Sequence, residues 1–163
     1  MRAALSPDLI HPDYPCSVCK EDQIEIRLDD VAPFKVCHIL ADDIEAVLRD
    51  AQYNGFEINE VTGYRVGRSK GPLDARGRRT QYSYYSFGVA IDVNAQQNGL
   101  YGNCVKFSGA CQLRRGGPWH PARPGTITPG DPIYDGLTDI GLRWGGEIAG
   151  RQKDFMHFSP SGY

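Results

Sequence analysis

The chain has 163 residues and a formal net charge of −2. That length is room for one domain around one core, and the charge supplies no global field to draw nucleic acid or an anionic membrane. No apolar run is long enough to span a bilayer, while 19 glycines and 11 prolines predict a loop-rich fold.

The opening Met1-Arg2-Ala3-Ala4-Leu5-Ser6-Pro7-Asp8 lacks the apolar segment of a secretory signal. The expected location is therefore a host cytoplasm with release at lysis, or a virion. Residues 1–36 show no sustained period and read as an N-terminal extension packed on a domain spanning residues 37–163. Within them Gln23-Ile24-Glu25-Ile26-Arg27-Leu28 alternates polar and apolar, as a half-buried strand does. From residue 38 to 54 the period becomes helical. Leu40, Ile44, Val47, Leu48 and Ala51 share one face, the acidic Asp42 and Asp43 lie early, where the macrodipole favours them, and Asn54-Gly55 is a natural stop. Phe56-Glu57-Ile58 predicts a strand leaving the helix.

Residues 67–80 carry Arg68, Lys70, Arg76, Arg78 and Arg79 among turn formers and read as a solvated loop, with a substrate clamp as the alternative. Val89-Ala90-Ile91-Asp92-Val93 predicts a central strand. Residues 94–132 read as long and irregular, a feature often tied to function. In that loop Trp119 is expected to anchor the chain by packing. A short helix is expected within residues 133–142, a turn at Arg143-Trp144-Gly145-Gly146, and a terminal strand at Phe155-Met156-His157-Phe158.

The cysteines are five: Cys16, Cys19, Cys37, Cys104 and Cys111. An odd count leaves at least one unpaired within the chain. Cys104 and Cys111 are near enough in sequence to close a short loop by a disulfide. Cys16 and Cys19 have metal-knuckle spacing that Cys37-His38 would complete; the plainer reading of Cys37 is an isolated buried thiol.

Asp92 ends an apolar strand, where a carboxylate is costly unless paired or metal-bound. His157 sits in another, three residues after Asp154. An aspartate and a histidine are plausible zinc ligands, and a second carboxylate suits a general base; a histidine near a strand end is equally a structural group.

Ser83-Tyr84-Tyr85-Ser86-Phe87-Gly88-Val89-Ala90-Ile91-Asp92 resembles a motif that runs Ser-x-His-x-x-Gly-x-Ala-x-Asp. Trp144-Gly145-Gly146 followed by Asp154-Phe155-Met156-His157-Phe158 resembles its distal partner, and Gly63-Tyr64-Arg65 resembles the Gly-Tyr-Arg that precedes both. In these respects the chain is similar to the zinc D-Ala-D-Ala carboxypeptidase and L-alanyl-D-glutamate endopeptidase family, peptidase family M15, over about residues 40 to 160. The resemblance implies an α+β domain with a small central antiparallel sheet and flanking helices. It implies Zn2+ bound by Asp92 and His157, Asp154 as general base, Arg65 holding the substrate or stabilising charge on the attacked carbonyl, and Ser83 as a hydrogen-bonding group in the site. The implied substrates are peptidoglycan stem peptides, cleaved at D-Ala-D-Ala or L-Ala-D-Glu. Other phage tail or virion proteins are the further partners considered.

Tyr85 stands where the family motif has its first histidine. Catalytic zinc usually takes three protein ligands plus water, so three readings remain open. Tyr85 binds as a phenolate; or His120 or His38 moves in; or the metal site is lost, and the domain is a structural or wall-binding component of a phage tail or similar particle.

Overall fold

The alternating run becomes the first strand, β1 (Gln23–Ile26), in the computed structural model, which describes residues 5–163. Residues 1–4, part of the stretch read for a secretory signal, lie outside the described residues. β1 pairs antiparallel with β2 (Phe34–Cys37), setting Gln23 opposite Cys37 and Ile26 opposite Phe34. Ile26, Phe34 and Val36 are buried. Helix α1 (His38–Tyr53) follows directly and buries Leu40, Ala41, Ile44, Leu48 and Ala51, the face that the period predicts. Its stop is as expected: the Asn54 amide donates to Asp50, and Gly55 turns at φ 86°. The first turn holds no acidic residue, because the helix starts four residues before Asp42.

Cys37 is no isolated thiol. It forms a disulfide with Cys16, so these two cannot serve as zinc ligands, and the proposed four-ligand knuckle is absent; Cys19 is free. The disulfide, together with β1 and β2, ties residues 16–37 to the helix, and the 36/37 boundary falls inside β2. Cys104 and Cys111 form the short-loop disulfide.

The strand expected at residues 56–58 does not form; pairing begins at β3 (Val61–Thr62). The basic segment is also no loop. It folds into a hairpin of β4 (Arg68–Leu73) and β5 (Arg79–Tyr82), irregular in register, with Asp74 accepting from the Arg76 and Arg78 amides to close the turn. Then come β6 (Ile91–Val93), β7 (Leu100–Gly102), β8 (Gln112–Arg115), α2 (Pro132–Asp139), β9 (Arg143–Trp144), β10 (Lys153–Asp154) and β11 (His157–Ser159). The long irregular region thus contains two short strands, β7 and β8. It is held down by aromatic packing: Trp119 stacks on Phe155 at 4.2 Å and donates to the Ile127 carbonyl.

The central sheet is antiparallel and four-stranded, in the order β3-β6-β11-β9; a three-stranded sheet, β10-β7-β8, lies beside it. α1 packs against β1, β2 and α2, and Gly136 on α2 leaves room for Val47. The architecture is α+β and loop-rich, as expected. Among the described residues no helix is long and apolar enough to cross a membrane.

Candidate functional site

The sheet register builds the site. β6 and β11 are antiparallel neighbours, and His157 lies directly opposite Asp92. Residues opposed across a strand pair point to the same face, with their Cβ atoms about 5 Å apart. Two segments 65 residues apart in sequence thus present an imidazole and a carboxylate to one point, His157 Nδ1 lying 3.0 Å from Asp92 Oδ1.

Tyr85 arrives from a 3-10 turn, Tyr84–Phe87, closed by Gly88 at φ 69°. The Tyr85 hydroxyl donates to Asp92 Oδ1 at 2.5 Å and lies 2.7 Å from His157 Nδ1. With Asp92 accepting from both sides, the consistent tautomer of His157 carries its proton on Nδ1. Its Nε2 is then buried without a partner among the described residues. Burial, and next the Asp92 charge, push the Tyr85 phenol well above its ordinary value, so it stays a neutral donor.

Asp154 ends β10, and the chain turns through Phe155 and Met156 into β11. This satisfies the requirement that Asp154 precede the His157 strand, since strict alternation would put the two on opposite faces. Its Oδ1 is buried and has no partner among the described residues. Burial and the Asp92 charge push its carboxyl up to about 6, against the opposing pull of His157 and Arg115.

Tyr85, Asp92, Asp154 and His157 floor a groove of about 330 Å3, at the small end of ligand pockets. Arg65 and Ser83 line it too. The Arg65 guanidinium lies 4.4 Å over the Tyr85 ring, and the Ser83 hydroxyl bonds to Ser86. All the residues singled out from the motifs thus meet in one place. Neither candidate substitute for the missing imidazole does: His120 is exposed on its loop, and His38 faces the Asp22 carbonyl. Glu147 instead accepts from the Tyr134 hydroxyl, outside the groove. Arg68 and Lys70 of the basic segment, for which a substrate clamp was the alternative reading, also line the groove, and so does Arg115, which sequence reasoning passed over. The signal for Arg68 and Lys70 was their place in a basic run between turn formers; Arg115 carried none.

Residues 76–160, just over half of the chain, match the family model described as D-alanyl-D-alanine carboxypeptidase. The chain belongs to this peptidase family. No curated protein and no solved structure matches it. The match takes in Tyr85, Asp92, Asp154 and His157; Arg65 lies before it.

The carboxypeptidase family is generally zinc-dependent, and this donor set does not fit a catalytic zinc. Zinc holds N and O ligands at about 2.0–2.1 Å in a tetrahedron, which sets them roughly 3.3 Å apart. Here the three converging atoms are 2.5–3.0 Å apart and share protons. The third is a phenol, with an ordinary pKa of about 10 a weaker ligand than imidazole at neutral pH. Among the described residues no cluster of three or more His, Cys, Asp or Glu side chains is placed to hold a metal ion.

Proposed function

We propose that this chain is a carboxypeptidase-family domain that holds peptidoglycan stem peptides in its groove without efficient hydrolysis, its metal centre replaced by a hydrogen-bonded Tyr85–Asp92–His157 cluster. The observation that carries this reading is the Tyr85 hydroxyl, which occupies the point between Asp92 and His157 and bonds to both. Bound zinc would polarise a carbonyl and acidify its water. The cluster offers in its place a neutral hydroxyl and a carboxylate already engaged by donors.

A second reading is supported by Asp154. A buried carboxyl with a pKa near 6 facing the groove is suited to take a proton from water at neutral pH. On this reading the chain is a stem-peptide peptidase of reduced rate, cutting at D-Ala-D-Ala or L-Ala-D-Glu.

Metal analysis and muropeptide digestion of the same preparations separate the two. The natural chain is expected to hold well below one equivalent of zinc and to release no products above background. Tyr85→His restores an imidazole and is expected to bring zinc near one equivalent. A full equivalent of tightly held zinc in the natural chain would overturn the replacement of the metal centre. Products from the natural chain that disappear in Asp154→Ala would establish the hydrolytic reading.

A further inference from the structure

His11 is buried, 4 % exposed, at the seam between the N-terminal segment and the turn that delivers Tyr85. Its imidazole packs among the rings of Tyr14, Tyr84 and Phe87, with centroids 5.2–5.6 Å away. Tyr84 and Phe87 are the first and last residues of the turn, so His11 touches it on both sides of Tyr85 in sequence. On its own side, the His11 amide donates to the Cys16 carbonyl, and Ile10 bridges to Ser17. Whatever moves this imidazole therefore moves the seat of the turn.

The hydrogen bonding fixes which form of the ring fits. The Asp13 amide donates to His11 Nδ1 at 3.0 Å, so Nδ1 is an acceptor and the ring proton sits on Nε2. Nε2 is buried with no partner among the described residues. A second proton has only Nδ1 to go to. There it sets donor against donor and leaves the Asp13 amide without its bond. The new charge is also enclosed by rings and cut off from water. Aromatic faces attract cations, but the face of Tyr84 already carries the Lys70 ammonium, 3.3 Å from its centre. The charged and titratable groups about His11 are Asp13 and Tyr14 on its own segment, Lys70 on β4 and Tyr84 on the turn. Of these Asp13 favours the imidazolium, and it is exposed to solvent that screens it. Burial, the largest cause, outweighs it with the help of Lys70 and pushes the imidazole below its ordinary value.

We propose that His11 is a pH-dependent latch that positions the Tyr85 turn: neutral, it pins residues 10–17 to the turn, and protonated it releases them. The sign follows from burial of the neutral form. The released segment binds a proton more readily than the seated one, so the latch is closed above the ordinary histidine value of 6.5 and opens as pH falls below it. Cys16 stays tied to Cys37, so opening is a local lift of the segment. What it withdraws is support for the groove floor, since Tyr85 bonds to Asp92 and His157 from that turn. The latch acts whether the groove retains a peptide or cuts one.

Amide hydrogen exchange of the full chain tests it, followed peptide by peptide from about pH 7.5 to about pH 4.5 and corrected for the intrinsic pH dependence of exchange. Protection of residues 10–17 and 84–88 is expected to fall on the order of tenfold or more across that range, while β6 and β11 keep theirs. Asp154, its carboxyl pushed up to about 6, titrates in the same range with the opposite sign, so it cannot produce a loss on acidification. His11→Asn sets a non-titrating acceptor near the place of Nδ1 and is expected to hold its protection flat. A flat profile in the natural chain overturns the latch. So does a fall in His11→Asn that matches the natural chain. A fall in β6 and β11 in step with the turn overturns it too, being unfolding of the whole domain. The natural chain's profile needs no variant, so a variant that fails to fold does not shield the proposal.

Discussion

Asp154 is held in its place against its own solvation. Its folded pKa of about 6 lies above the ordinary 3.8, with burial the main cause and the Asp92 charge the next. Between those two values the folded state binds more protons than the unfolded state. Stability therefore falls as pH rises through that window, and the whole penalty is present above it. The penalty is on the order of 3 kcal/mol. Asp154→Asn keeps the shape and removes the titration. Urea unfolding is expected to show the variant about equal to the natural chain near the lower end of the window and more stable by about 3 kcal/mol at neutral pH. Parallel pH profiles for the two proteins would mean that Asp154 is not desolvated as the structure has it. A carboxyl kept at such a cost fits a group retained for what it does toward a ligand. Tyr85 differs: it is a neutral phenol, satisfied by Asp92 and His157, and nothing about its titration strains the fold.

At the scale of elements, the turn that delivers Tyr85 depends on Gly88. Its φ of 69° is left-handed, and an added Cβ would sit 1.9 Å from Gln23 Oε1 and 2.5 Å from the Cys37 amide nitrogen. Backbone strain and a clash with β1 and β2 then act together. Gly88→Ala is expected to cost about 3 kcal/mol in urea unfolding, a loss of less than about 1 kcal/mol arguing that the turn relaxes freely. This glycine also shows what the sequence made legible. The apolar run before Asp92 announced a buried strand, Gly88 itself was visible only as a motif position, and α1 was legible from its period alone. Elements whose pairing is non-local were harder. The 67–80 segment has no apolar alternation, because its hairpin lies on the surface with both faces largely exposed, so its polar composition looked like a loop. β7 and β8 were hidden for a related reason: they are short, and they are stabilised by Tyr101, Phe107, Trp119 and Phe155 stacking on one another, partners spread over more than fifty positions. The motif residues of the site were readable because type and spacing coincide there. Arg115 was not, since only the fold brings it to the groove.

Over the whole molecule, a groove lined by Arg65, Arg68, Lys70 and Arg115 as well as Asp92 and Asp154 is set within a chain of net charge −2, so local placement, and not the overall field, decides what the groove attracts. The groove in turn rests on the N-terminal segment. The Tyr64 hydroxyl donates to the Val18 carbonyl, the Cys37 amide donates to Gly88, and Gln23 donates to Phe87, so the chain before α1 braces both Gly63-Tyr64-Arg65 and the Tyr85 turn. The Cys16–Cys37 disulfide fastens that brace across a sequence separation of 21 residues. Closing a loop of that size removes unfolded-state entropy worth roughly 3 kcal/mol. Cys16→Ser is therefore expected to fold and to lose about that much stability in non-reducing urea titrations. In reductant the natural chain and the variant should converge, because the natural chain then loses Cys16–Cys37 as well, Cys104–Cys111 opens in both, and the remaining difference is one side chain. A chain lacking residues 1–36 is expected not to fold at all: it loses β1 and most of β2, and uncovers Leu40, Ile44 and Leu48 of α1, all buried in the intact protein. A cooperative melt from that truncated chain would show that the segment is a dispensable cover; a flat one would make it part of the core that positions the groove.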